Sequence, residues 1–390
     1  MIIIFVLPAL AAKERPLVIG PSMNVRTDWL TNFLDALGST KILDVISYHM
    51  YPGYGRSLDL PHLIPTPAWL DFPHSVASQV KSAVAMSSRG VDLLNGGLEL
   101  WIDETAAAWA SGKCGLQVDF SLWYMHIRTE LLLLCATIYS PPARTHTGTA
   151  GVCNGFLSGF WWLDQLAATA SKGHSAMCRQ CLVGGNYSLI EQRTDADGTT
   201  IAAWTPNPDY YSAWLWRVLI AGETKTRGVM TMLGINQVMP YEGDFIPSTR
   251  MYLVCTPKTS PHYKSGAVTA IWLNTDANSN KSILLYQGQR FGGRRLKDSP
   301  AVPPPFPNLP RVDYVLTPPR GDLLSREMLL NGELLVLRDG GVLPDVPTGH
   351  TATKENFVVP PSSYGFAIYP NANAPACIAA EGSAVMHDEV

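Results

Sequence analysis

Residues 98–111, LELWIDETAAAWAS, carry an apolar run onto two successive carboxylates, Asp103 and Glu104, before a loop rich in small residues. A carboxylate at a strand's C-terminal end can attack an electrophilic carbon or carry a proton, and βα barrels collect their reacting groups at that end. Strict alternation places Leu98, Leu100, Ile102 and Glu104 on one face and Glu99, Trp101 and Asp103 on the other. Glu104 is then the expected inward-pointing acid, although a carboxylate capping the next helix would leave the same pattern. In the run 44–51 the same rule groups Val45, Ser47, His49 and Tyr51, a polar set expected to face a barrel interior. His49 and Tyr51 suit hydrogen bonding to a sugar, and Arg56 beyond them could grip a carboxylate in a two-pronged contact. A core histidine beside a surface arginine fits those residues as well. Cys178-Arg-Gln-Cys181 has zinc-like spacing, but on a regular strand residues three apart point to opposite faces and cannot share a metal. The Gly184-Gly-Asn-Tyr187 turn after it lets backbone N–H groups approach a ligand while Tyr187 offers a phenolic hydrogen bond; a plain turn is the other reading.

Short β-rich runs at 17–20, 44–51, 98–104 and 175–183 alternate with amphipathic stretches at 27–37, 75–88, 156–171 and 209–221. That order predicts βα units around a parallel sheet, with Pro208 suited to open the last helix. Beyond residue 222 the texture changes to short alternating runs, at 251–255, 267–273, 282–286, 333–337 and 364–369, separated by turn signals and by a proline-rich loop at 300–310. An antiparallel sandwich is expected there, occupying 223–380 before a tail at 381–390. The stretch 118–151 fits neither half, and removing it joins GKCGLQ to VCNGFLSGFWWLDQL as an ordinary loop entering a helix, so a retained intron or an insertion is expected.

The 390-residue length provides for two domains, or three, and a sizeable core. Charged residues are 16% of the chain and the formal charge is −3, which excludes a broad basic surface tracking nucleic-acid phosphates. The 30 prolines, 32 glycines and 11 tryptophans describe a loop-rich chain with many aromatic platforms. Seven cysteines leave at least one thiol unpaired. Residues 1–16 begin with an apolar segment that ends in small residues like a signal peptide but lacks a basic start. Asn186-Tyr-Ser188 and Asn280-Lys-Ser282 are compatible with secretion, and no run reaches the length of a membrane-spanning helix.

Taken in order after IGPSM, the motifs SYHMYPGYGR, WIDETAAAWASG, FLSGFWWLDQL, CRQCLVGGNYSLI, TPNPDYYSAWLW, DLLSREMLLNGELL and PSSYGFAIYPNANAPACI resemble the heparanase and plant-type β-glucuronidase group, glycoside hydrolase family 79. The resemblance covers 17–379 apart from 118–151. It implies the C-terminal half, strands five to eight, of a (β/α)8 barrel over 17–222 followed by the sandwich, and retaining hydrolysis of β-linked glucuronic acid by two glutamates. Glu104 matches the nucleophile. His49, Tyr51, Arg56 and Gln180 match substrate-contacting positions, and the backbone of Trp109, Ala110 and Ser111 with Gly185 and Tyr187 matches a cradle for the glucuronate carboxylate. Cys255 and Cys377 match a disulfide, which implies an oxidising compartment: secreted, extracellular or lysosomal-vacuolar, or peripheral at a membrane. No cofactor and no metal is expected.

The family's acid/base glutamate follows an asparagine on barrel strand four, upstream of the segment matching 19–21. Glu14 is the only upstream carboxylate and lacks that asparagine. The resemblance therefore implies that strands one to four and the acid/base lie outside this chain, which alone is expected to be nearly inactive and poorly soluble. The alternatives are a non-catalytic half-barrel that binds uronic-acid glycans, or one completed by a partner chain.

Overall fold

The computed structural model describes residues 17–38, 42–53, 57, 59–88, 94, 97–109, 125–126, 151–180, 182–183, 187–194, 199–221, 232–237, 248–283, 309–346, 348–352 and 357–385. Arg56, Ala110, Ser111, Cys181 and Gly185, the apolar start with Glu14, and nearly all of 118–151 lie outside them.

The first half is a parallel sheet. Strand β1 (Ile19–Asn24) leads into helix α1 (Thr27–Leu37), which buries Leu30 and Leu34 one turn apart and stops at Gly38, whose φ of 57° suits glycine. Strand β2 (Val45–Met50) is followed by a short helix α2 (Leu60–Leu63) and by α3 (Pro67–Met86). Helix α3 begins eight residues before the expected 75, because Thr66 caps it through the Trp69 amide and Pro67 takes the first helical position. Strand β3 (Glu99–Thr105), a two-residue strand β4 (Met125–His126), helix α4 (Ser158–Ser171) and strand β5 (Ala176–Arg179) complete the unit. The sheet order is β1-β2-β3-β5-β4, with the first four parallel and β4 antiparallel to β5. Two residues of the stretch expected to fit neither half thus pair with a strand edge.

The run read as one strand over 175–183 ends at Arg179. An additional hairpin, β6 (Ile190–Thr194) with β7 (Thr200–Pro206), stands between it and helix α5 (Pro208–Trp216). Helix α5 continues as a π-helical turn over Arg217–Ala221.

The second half is built on an antiparallel sheet. Strands β8 (Met232–Gln237), β9 (Thr249–Cys255), β10 (Val268–Asn274), β11 (Lys281–Ile283), β12 (Arg311–Thr317), β13 (Leu329–Leu330), β14 (Glu333–Leu334), β15 (His350–Ala352), β16 (Phe357–Val359) and β17 (Ser363–Tyr369) precede helix α6 (Pro375–Val385). The order β14-β13-β12-β17-β10-β9-β8 has β15 attached to β12, and β11 with β16 forms a separate pair. The expected strand at 333–337 contracts to two residues, and Arg311–Thr317 emerges as a central strand. Cys255 is bonded to Cys377, tying β9 to α6.

The boundary expected near residue 222 is not a break in packing, because one apolar core runs through both halves. Phe156 stacks on Tyr364 at 4.4 Å and Phe160 meets the same ring edge-on at 5.0 Å. Beside these rings lies a buried polar knot. Tyr252 donates to Asp164 at 2.5 Å, Arg250 reaches Asp164 at 3.5 Å and Asp71 at 2.6 Å, and His74 lies 2.7 Å from the Tyr252 hydroxyl. Burial raises the Asp164 carboxyl to about 6, opposed by Arg250, and lowers the His74 imidazole to about 4.

Candidate active site

The two faces of the parallel sheet are distinguishable by what they bury. Ile46, Tyr48, Met50, Leu100, Ile102 and Met177 join the large core beneath the helices. Ile19, Val45, Trp101, Ala176 and Cys178 form a separate cluster on the other face. By alternation Glu104 belongs with Leu100 and Ile102, on the helix side. The inward direction expected for that set is therefore wrong for Leu100 and Ile102, yet Glu104 itself stands beside His49 and Tyr51.

A break in register resolves this. Tyr48 pairs with Ile102 but His49 pairs with Glu104, so Asp103 is an extra residue in β3. The same level is irregular on both flanks: β1 jumps from Pro21 to Asn24 while β2 advances from Ser47 to His49, and β3 jumps from Ile102 to Thr105 while β5 advances from Met177 to Arg179. An extra residue kinks a strand and re-aims the side chains that follow, a device concentrated near active sites. Here it brings both Asp103 and Glu104 against one imidazole. His49 Nδ1 lies 3.6 Å from Glu104 Oε2 and Nε2 lies 3.8 Å from Asp103 Oδ1.

Tyr51 donates to Glu104 Oε1 at 2.6 Å, and the Gln180 side-chain amide lies 2.7 Å from the same hydroxyl. One phenolic proton cannot serve two acceptors, so it goes to the carboxylate and the amide turns its NH2 toward the tyrosine oxygen. The Tyr187 hydroxyl stands 3.3 Å from that amide. Gln180 is held by its backbone N–H donating to Thr105 O at 2.8 Å. Thr105 in turn donates to Met50 O at 2.6 Å and accepts from Gln165, itself bonded to Trp161. Side chains from β2, β3 and the end of β5 are thereby fixed to one another through a buried layer of hydrogen bonds.

Glu104 and His49 remain partly open, with side chains 22% and 24% exposed, so a solute can reach them. Trp109 is half exposed, and its N–H donates to Gly53 O at 2.8 Å. A side chain at Gly53 would collide with the Trp69 ring, which ties the loop after β2 to α3. The structure thus brings together Glu104, His49, Tyr51, Gln180 and Tyr187, and joins the loops carrying Tyr51 and Trp109. Asp103, assigned to the far face by alternation, and Ser22, 3.2 Å from His49 Nε2, were missed. A polar residue following Gly20-Pro21 within β1 was the signal for Ser22, while nothing in the pattern announces the extra residue at Asp103. Cys178 is buried on the inner face, and no cluster able to hold a metal occurs among the described residues.

A carboxylate, an imidazole, a phenol and an amide thus meet at the C-terminal ends of parallel strands, the end at which barrel enzymes collect their reacting groups. Two solved glycosidases share the fold: a family 51 arabinofuranosidase from Xanthomonas axonopodis pv. citri and a 4-O-alpha-L-rhamnosyl-beta-D-glucuronidase from Fusarium oxysporum. Each has a TM-score of 0.51 at 13% identity, covering 92% and 90% of this chain and 59% and 58% of theirs. The relationship is narrower in sequence. Residues 8–127 match the N-terminal domain of glycosyl hydrolase family 79. Heparanase-like protein 3 of Arabidopsis thaliana is 26% identical over 371 residues, 93% of this chain and 55% of its own length. Baicalin-beta-D-glucuronidase of Scutellaria baicalensis is 27% identical over 357 residues, 91% and 50% respectively. Mouse heparanase is 29% identical over 233 residues, 59% and 36% respectively. The chain is similar in sequence to family 79 glycosyl hydrolases and spans about half the length of the plant proteins it matches.

Proposed function

We propose that this chain carries the nucleophile half of a retaining glycoside hydrolase acting on β-linked glucuronic acid. The observation that carries the reading is Glu104, re-aimed by the extra residue in β3 and held through Oε1 by Tyr51, with its other oxygen facing His49. In the reaction a Glu104 oxygen bonds to the anomeric carbon as the bond to the leaving oxygen breaks, and water then hydrolyses the glycosyl ester. Tyr51 keeps the carboxylate oriented, and Gln180, His49 and Arg56 hold sugar hydroxyls or the glucuronate carboxylate. Of the expected cradle for that carboxylate, Tyr187 would offer its hydroxyl and Ala110, Ser111 and Gly185 their backbone N–H groups, while the Trp109 N–H is already bonded to Gly53 O.

Such an enzyme needs a second carboxyl group about 5 to 5.5 Å from the first to protonate the leaving oxygen. Asp103 flanks the imidazole from β3 itself, on the nucleophile's own strand, and does not suit that role. Among the described residues β1 pairs on one side alone. The reading therefore makes 17–222 half of a barrel, followed by a sandwich, with the acid/base arriving on polypeptide that pairs against β1. An oxidising, secreted or lysosomal-vacuolar setting accords with the Cys255–Cys377 bond.

A fluoride leaving group needs little protonation, so the first chemical step can be tested without the acid. Incubation with a 2-deoxy-2-fluoro-β-glucuronyl fluoride should release fluoride and leave one glycosyl ester on the Glu104 peptide, with no adduct in Glu104→Gln. An adduct on another carboxylate, or none on the folded chain, would overturn the reading.

A further inference from the structure

Asn280-Lys-Ser282 lies in the second half of the chain, and no step of the proposed reaction uses it. It joins the last loop residue before β11 to the first two residues of that strand. The loop is held in shape from within. Buried Asn274 donates to Ser279 O at 3.0 Å and to Pro360 O at 2.8 Å. Asp276 accepts the Asn278 and Ser279 amides at 2.9 and 3.1 Å and pairs with Lys281. Asn280 and Ser282 are exposed, while Ile283, the next residue of β11, is buried. Alternation thus turns the serine toward solvent. Its cross-strand partner Val358 is exposed too, between buried Phe357 and Val359, so bulk attached on this side meets no packed layer.

We propose that Asn280 is an N-glycosylation site. The acceptor chemistry needs an asparagine at the surface with a serine or threonine two residues on, and a bulky, solubilising group is tolerated only where the chain faces solvent. Both conditions meet at Asn280. The donor would be a lipid-linked oligosaccharyl pyrophosphate. A bond forms from Asn280 Nδ2 to the anomeric carbon as the bond from that carbon to the pyrophosphate oxygen breaks, the lipid pyrophosphate leaves, and the amide gives up one proton. The triplet Asn186-Tyr-Ser188 has the same spacing but not the same surroundings. Tyr187 and Ser188 are buried, and Ser188 O accepts from the Asn207 amide at 2.8 Å. In the folded chain that serine hydroxyl is closed to a transferase, and a glycan attached before folding would have to be accommodated beside two buried residues. The inference rests on the oxidising, secreted or lysosomal-vacuolar setting proposed from the Cys255–Cys377 bond, and not on the role of Glu104.

The test is the full chain sent into the secretory pathway of a eukaryotic host behind an added cleavable signal. The secreted protein is treated with a glycan-releasing amidase in 18O water, which marks each former site by converting its asparagine to labelled aspartate. The Asn280 peptide should carry the label in most copies and the Asn186 peptide should not. Asn280→Gln and Ser282→Ala should each lose the mass of one glycan, Ser282→Thr should retain it, and Ser188→Ala should lose none. An unlabelled Asn280 in secreted chain, or a label on Asn186 instead, overturns the proposal. Because the added signal supplies the compartment, that failure counts against the site. Failure of the proposed setting would show separately, as reduced Cys255 and Cys377 in chain isolated from its natural source.

Discussion

His174 is buried, its Nε2 lies 2.7 Å from the Tyr48 hydroxyl, and burial lowers its imidazole to about 3. The native state therefore excludes a proton that the unfolded chain binds below about 6.5, and stability must fall as pH falls through that interval. His74, lowered to about 4 by burial and by Arg250, acts in the same direction. Asp164 acts in the opposite one: raised to about 6 by burial, it binds a proton in the native state before the unfolded chain does, so acidification stabilises through it. Burial also raises Asp209, adding to the Asp164 effect. Between pH 6 and 4 the contributions of His74 and Asp164 largely cancel. Replacing His174 by glutamine removes one net proton from the balance while keeping a polar partner for Tyr48. Urea unfolding at half-unit intervals should show the native chain losing stability faster than His174→Gln by about 1.4 kcal/mol per pH unit. Asp164→Asn should steepen the acid loss instead. Parallel curves for the native chain and His174→Gln would refute the assignment of acid sensitivity to this buried imidazole.

Tyr51→Phe deletes a hydroxyl that donates to Glu104 and accepts from Gln180, so formation of the Glu104 glycosyl ester, followed as fluoride release, should slow by about 10- to 100-fold, from ~1.5 to 3 kcal/mol for a hydrogen bond to a charged group. Comparable rates in native and variant chains would remove Tyr51 from the site. The Cys255–Cys377 bond closes a loop of sequence separation 122, and the chain-entropy relation gives about 5 kcal/mol for its removal. The double alanine variant should lose that much in denaturant titration, and a loss under ~1 kcal/mol would show that reduced native packing compensates. Deleting Asp103 should regularise β3 against β2 while leaving Glu104 opposite His49, with fluorosugar labelling retained on the same glutamate. Loss of labelling in a folded deletion variant would show that the kink, rather than the register, aims the carboxylate.

Much of this arrangement is visible in residue order, for identifiable reasons. Helix α1 is readable because Leu30 and Leu34 recur at helical spacing and Gly38 ends it. Strands β2 and β3 are readable because β-branched and aromatic residues concentrate there. The polar alternation of Ser47, His49 and Tyr51 identifies the open face because β2 stays regular through those positions. The alternation rule fails at Glu104 because period two holds only while each residue has a partner, and a one-residue excess reverses every later side chain. Nothing in IDET distinguishes a kinked strand end from a straight one. The hairpin of β6 and β7 is obscured because Glu191, Gln192 and Arg193 interrupt its apolar rhythm, and two of them serve contacts distant in sequence. Glu191 pairs with Arg326 at 2.6 Å, and Arg193 donates to Arg326 O at 3.0 Å. The buried charges Asp164, Arg250 and Asp209 are likewise invisible locally, since each is accommodated by a partner from another element.

The irregular level across β1, β2, β3 and β5 links the fold to the chemistry. In a regular parallel sheet the last residue of every strand facing the helices is lost to the site, because helices cover it. Three strand pairs here change register at one height, so Ser22, His49, Glu104 and Gln180 project together above a face whose lower layer is the apolar cluster of Ile19, Val45, Trp101, Ala176 and Cys178. That apolar layer closes the bottom of the site, and the Thr105–Gln165–Trp161 chain locks its side. Among the described strands the sheet ends at β4 on one side and at β1 on the other, and on the β1 flank Ser22 stands beside His49. A substrate bonded to Glu104 would lie with its leaving oxygen toward that flank if the acid enters there. The placement of Glu104 beside His49 thus follows from the shared break in register, and the proposed entry of the acid follows from the edge of β1.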